Sequence, residues 1–152
     1  MVPVNNVMLV DDNKIDLFVN QKIIESYNSN IRVIHFNNSL TALEYLKISL
    51  HEKNLNHFTR PNVLFLDINM PKCTGFEFLE RLSRLGFLET GNFKIFMLSS
   101  SVSLVDVNKA NTHPLCSGYI NKPLTIEKLH KVLNINDGCS KKENVLNDDS
   151  CA

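Results

Sequence analysis

Short apolar runs alternate along this chain with segments whose apolar residues recur at helical spacing. Val7–Val10 reads as a strand, and Lys14–Tyr27 as the helix that follows it. In that helix Ile15, Phe18, Val19, Ile23 and Tyr27 are expected on the buried face, with Asp16, Gln21, Lys22 and Glu25 opposite. Asn28-Ser29-Asn30 breaks it, and the β-branched, apolar segment Ile31–Phe36 is a second strand. Asn37-Asn38-Ser39 offers N-cap side chains for a helix over Leu40–Ile48, with Leu43, Tyr45 and Leu46 as its apolar part. His51 to Pro61 is polar and reads as a long loop.

Val63–Leu66 is a third strand. Thr74-Gly75-Phe76-Glu77 then fits a capping box, with Thr74 as cap and Glu77 three residues on, opening a helix to about Leu85. Gly86 and Gly91 bracket the connection to a fourth strand, Lys94–Leu98. A helix over Ser103–Asn111 ends at His113-Pro114, because the residue before proline resists the α conformation. Ser117–Asn121 is the fifth strand, and Thr125 caps a last helix through Ile126, Leu129 and Val132/Leu133.

Strand and helix therefore alternate five times. Strands that are apolar almost throughout are buried on both faces, which calls for a parallel sheet with helices on each side. The 152 residues suit one domain, placed at residues 5–136, and an apolar share of 43% is enough for its core. From about Asp137 the periodicity stops, so residues 137–152 are expected to be a disordered tail. There is no internal repeat, and none of the five glycines forms a G-x-G-x-x-G phosphate loop.

Net charge is zero, which argues against a general nucleic-acid-binding surface. No apolar stretch approaches the roughly 20 residues that span a bilayer, and the N-terminus lacks the basic and apolar regions of a signal peptide. Cys73, Cys116, Cys139 and Cys151 are scattered without a C-x-x-C pair, as expected of free thiols in a reducing cytoplasm. His51 and His57 lie in the polar stretch and read as solvated loop residues.

The chemistry sits at the strand ends. The first strand runs into Asp11-Asp12, the third into Asp67, the fourth into Ser99 and the fifth into Lys122-Pro123. A parallel sheet gathers those ends along its carboxyl edge, where α/β folds bind ligands. Asp11, Asp12 and Asp67 would repel one another there unless a divalent cation joined them, and hard carboxylate oxygens favour Mg²⁺ or Mn²⁺. The acidic pair also suits a plainer use, capping the helix that begins near Lys14. Asp67 is the candidate nucleophile, able to form an aspartyl phosphate once a metal and a cation neutralise the phosphoryl oxygens. Lys122 supplies that cation, and Ser99 can donate a hydrogen bond to a third oxygen. Each alone has a bland alternative, as a solvated lysine and as a small strand-end residue.

In order and spacing, Asp11-Asp12, Asp67-Ile68-Asn69-Met70-Pro71 with Gly75, Ser99, and Tyr119 before Lys122-Pro123 resemble the response-regulator receiver domain of two-component phosphorelays, the CheY-like family. The resemblance runs from residue 7 to about 134. It implies a flavodoxin-like (βα)5 doubly wound five-stranded parallel sheet of strand order 2-1-3-4-5. It further implies that Asp67 accepts phosphate from a sensor histidine kinase or a phosphotransfer protein. Asp12 would bind Mg²⁺ directly, Asp11 mainly through water, and Asn69 through its backbone carbonyl. Ser99 and Tyr119 would form the switch, Lys122 would contact the phosphoryl group, and the Lys122–Pro123 bond would be cis. Ser100 stands beside Ser99 as the second candidate hydroxyl.

The expected function is a stand-alone receiver that signals by phosphorylation-dependent contact with a downstream protein, without steady enzymatic turnover, DNA or membrane. A fragment of a larger regulator or hybrid kinase is one alternative. A Mg²⁺-dependent phosphohydrolase working through an aspartyl phosphate is another. Phosphatases of the haloacid-dehalogenase type carry D-x-D, and the second position here is Asn69, which cannot act as the acid. A flavin-binding flavodoxin-like domain would need a hydroxyl-rich phosphate loop after the first strand, which is lacking.

Overall fold

The structure, a computed structural model, describes residues 3–51, 60–86 and 93–134. Gly91, His57, Cys139, Cys151, most of the predicted polar loop and the predicted tail at 137–152 lie outside those residues. Five strands, β1 (Asn6–Val10), β2 (Arg32–Phe36), β3 (Val63–Asp67), β4 (Lys94–Ser99) and β5 (Cys116–Asn121), form one parallel sheet in the order β2-β1-β3-β4-β5. Between and after them run α1 (Lys14–Tyr27), α2 (Ser39–His51), α3 (Gly75–Arg84), α4 (Leu104–Thr112) and α5 (Ile126–Leu133). This is the expected flavodoxin-like arrangement.

Alternation along each strand divides the core into two layers, as the period of two requires. Met8, Val10, Leu64, Leu66, Ile95 and Met97 face the layer that also holds Leu46 of α2, Phe78, Leu79 and Leu82 of α3 and Ala110 of α4. Val7, Leu9, Val63, Phe65, Phe96 and Leu98 face the other, with Leu17 and Ile24 of α1 and Leu129 and Val132 of α5. All five residues of β1 and of β3 are buried. These two strands lie inside the sheet and are covered on both faces, hence the apolar runs Val7–Val10 and Val63–Leu66 within them.

Caps explain the helix boundaries. Asn13 Oδ1 accepts from the N–H groups of Ile15 and Asp16, and Asn38 Oδ1 from those of Leu40 and Thr41. So Asn13, not the preceding acidic pair, caps α1. At α3 the expected capping box closes on both sides, Thr74 Oγ1 accepting from Glu77 N and Glu77 Oε2 from Thr74 N. Thr125 Oγ1 accepts from Lys128 N at the start of α5.

The predicted buried face of α1 needs correction. Ile15, Phe18 and Val19 are 73%, 63% and 42% exposed, and the residues that α1 buries are Leu17, Asn20 and Ile24. Only Ile23 and Tyr27 of the predicted stripe pack against the core. The helix carries apolar residues on both sides, so spacing alone allowed two faces, and the sheet chose the one centred on Leu17 and Ile24. No helix among the described residues is long and apolar enough to cross a membrane.

Candidate functional site

Strand register brings the predicted residues to one edge. Val10 pairs with Leu66, Asp67 with Leu98, and Ser99 with Asn121, so the residues that follow emerge side by side. The Asp11 backbone N–H donates to Phe36 O at 3.1 Å, and that of Lys122 to Ser99 O at 2.8 Å, tying the strand ends together. Carboxylate oxygens of Asp11, Asp12 and Asp67 lie within 4.8 Å of one another. Asp11 and Asp67 are buried, whereas Asp12 is exposed. Three hard oxygen donors converging at an edge open to solvent fit a divalent cation of the Mg²⁺ type.

Lys122 reaches into this group. Its Nζ donates to Asp11 Oδ2 at 2.8 Å and to Asp16 Oδ2 at 3.0 Å, and stands 3.4 Å from Asp67 Oδ1. Asp11 uses its other oxygen to accept from Asn13 N at 2.9 Å. Burial pulls the Lys122 ammonium down, but hydrogen bonds to Asp11 and Asp16 and the charge of Asp67 outweigh it and hold it above the ordinary range. Burial raises Asp67 from 3.8 to about 6; the charge of Asp11 adds to the rise, and Lys122 offsets part of it. Four carboxylates face one ammonium here, and the surplus negative charge is what a divalent cation would neutralise.

Asp16 corrects the sequence reading, which set it on the solvent side of α1. Its position in the first turn places it directly above the sheet edge, and its carboxylate binds Lys122. The available signal was proximity: a helix that begins three residues after Asp11 must start over the same edge.

Ser99 is fully buried at the end of β4, and Ser100 beside it is exposed. Ser99 Oγ accepts from Ser101 N at 3.1 Å. Tyr119 is 7% exposed, so it is more than half buried; its hydroxyl donates to Ser101 O and also contacts Ser99. Burial raises the Tyr119 hydroxyl above its ordinary range, with the Ser99 contact acting against that rise. Asn69 is exposed on the loop after β3. The Lys122–Pro123 bond is cis.

Two features support the site: Lys128, which the sequence pattern did not single out, and Gly75 of the motif. Lys128 of α5 is only 5% exposed, and its Nζ donates to Asn121 O at 2.7 Å and Pro123 O at 2.9 Å, the carbonyls on either side of Lys122. Gly75, at the start of α3, donates its N–H to Ile68 O at 2.8 Å. A Cβ there would meet Asp67 O at 2.6 Å and Met97 Cε at 2.7 Å.

A doubly wound α/β domain with an acidic pocket and a lysine at its carboxyl edge is the class that fold and site define. The sequence matches the family model of the response regulator receiver domain over residues 7–134. It is 31% identical over 135 residues to the two-component response regulator ARR17 of Arabidopsis thaliana, across 84% of this chain and 81% of that protein. A crystal structure of a two-component response regulator from Cytophaga hutchinsonii superposes with a TM-score of 0.77 at 25% identity, over 88% of this chain and 96% of that one. The response regulator receiver protein of Dyadobacter fermentans gives 0.70 at 29% identity, over 84% and 94% of the two chains. This chain belongs to the response regulator receiver domain family of two-component systems.

Proposed function

We propose that Asp67 is the phospho-acceptor and that its donor is the phospho-histidine of a sensor histidine kinase or a phosphotransfer protein. The phosphorus–nitrogen bond of the donor breaks as a phosphorus–oxygen bond to the Asp67 carboxylate forms, and a proton carried on the other ring nitrogen of the donor lets its imidazole leave neutral. The observation that carries this reading is Lys122 Nζ, 3.4 Å from Asp67 Oδ1 beside three carboxylates clustered within 4.8 Å. Asp11, Asp12 and Asp67 would hold Mg²⁺ or Mn²⁺, with the Asn69 carbonyl as a further ligand. The cation's contribution is to neutralise charge on the phosphoryl oxygens. Lys122 contacts the same group, and the buried Ser99 hydroxyl is preferred over exposed Ser100 as the donor to it.

The output is a change of protein contact. Once a phosphoryl oxygen draws the Ser99 hydroxyl, Tyr119 loses one of its two polar neighbours, and the segment from Ser99 to α4 shifts with it. That segment carries Val102, Leu104 and Val105, all more than 60% exposed, a surface on which a partner protein can read the shift. The reading as a phosphohydrolase is disfavoured by Asn69, which offers no acid two residues after Asp67.

Acetyl phosphate with Mg²⁺ tests the assignment by intact mass. One added phosphoryl group is expected, absent in Asp67→Asn and absent under chelation. Persistent labelling of that variant would refute Asp67 as acceptor, and steady turnover of small phosphate esters would favour the enzyme.

A further inference from the structure

Lys122 has three N–H donors and three carboxylate neighbours, Asp11 at 2.8 Å, Asp16 at 3.0 Å and Asp67 at 3.4 Å. A phosphoryl group arriving on Asp67 must draw on the same ammonium. The three neighbours differ in what else competes for them. Asp67 carries the phosphoryl group itself. Asp11 belongs to the carboxylate trio that suits a divalent cation, so a cation bound there would compete with Lys122 for it. Asp16 stands outside that trio, on a helix fixed independently by the Asn13 cap. Its side chain is 39% exposed and hydrogen-bonds Lys122 from the solvent side. With a cation bound, Asp16 would be the neighbour least drawn away from Lys122.

We propose that Asp16 is a positioning residue, a resting-state counter-ion that holds Lys122 and competes with the incoming phosphoryl group for its ammonium. The proposal rests on the receiver reading above. Its physical content is a pair of opposite signs. Neutralising Asp16 frees Lys122 for the phosphoryl group and removes a negative charge that repels it, so phosphoryl binding strengthens. The same change lets Lys122 lean onto Asp11 and Asp67 and subtracts negative charge near the metal ligands, so cation binding weakens. A residue that merely supported the fold would, when replaced, weaken both.

The test measures two affinities in the intact chain: Mg²⁺ alone by calorimetry, and beryllofluoride, a phosphoryl analogue, at saturating Mg²⁺ by fluorine NMR. For Asp16→Asn the expected result is beryllofluoride bound about three-fold tighter and Mg²⁺ about two-fold weaker, the scale of a partly exposed ion pair. Asp16→Glu, which keeps the charge, should return both values toward wild type. Asp16→Ser is a second neutral variant, and thermal melting establishes that each variant is folded. Two unchanged affinities, or two that fall together, overturn the proposal and leave the receiver reading standing. A wild-type chain that binds no beryllofluoride overturns both.

Discussion

Asp67 places a carboxylate where burial opposes its charge. Burial and the neighbouring Asp11 raise it to about 6 from 3.8, Lys122 notwithstanding, so the folded chain favours its protonated form. A raised folded value means stability that is fully present below 3.8 and lost as pH climbs through about 6. Asp67→Asn, neutral at every pH, should therefore be more stable than wild type at pH 7.5 in metal-free buffer, by about 1–3 kcal/mol. The advantage should shrink between pH 6 and 4 and vanish below, and melting curves across that range check it. A wild type more stable than the variant at neutral pH would mean that Lys122 outweighs burial. Asp11, Asp12, Asp67 and Lys122 were legible from the sequence because each follows an apolar strand, and strand ends of a parallel sheet converge. Asp16 was not, because a carboxylate on an amphipathic helix looks solvated unless the entry point of that helix is considered.

Elements position the site through close backbone approach. The loop after β3 folds back so that α3 begins against it, and Gly75 is the point of contact. Gly75→Ala would press a methyl group against the Asp67 carbonyl at 2.6 Å, too close to persist without movement of the segment that carries Asp67. Overpacking of that kind costs about 1–3 kcal/mol, and denaturant unfolding measures it. On the other side, the buried ammonium of Lys128 holds the carbonyls of Asn121 and Pro123. Lys128→Met keeps much of the volume but strips those carbonyls of a charged donor, with an expected loss of about 1–3 kcal/mol. Unchanged stability would show that solvent replaces the lysine there. The capping signals at Thr74 and Thr125 were read correctly because caps are local chemistry. The inward face of α1 was misread, since two apolar stripes on one helix are resolved only by the sheet beneath it.

Across the whole molecule, strand order was accessible through the resemblance, while the parallel sheet followed from unbroken apolar strands. The proposed switch makes a molecule-wide prediction. Adding beryllofluoride and Mg²⁺ should shift amide NMR signals at Asp67 and through residues 99–134, including Tyr119 and α4. Changes confined to the acidic edge of the sheet would leave Tyr119 as a static core residue.

The two-layered core also bears on how substitutions combine. Met8 and Leu9 are adjacent in sequence yet serve opposite layers, whereas Leu9 and Phe65 sit opposite one another in register and share one. Double-mutant cycles should then find weaker coupling between Met8→Ala and Leu9→Ala than between Leu9→Ala and Phe65→Leu. In this chain, nearness along the backbone is a poor guide to which positions must change together, and side of the sheet is a good one.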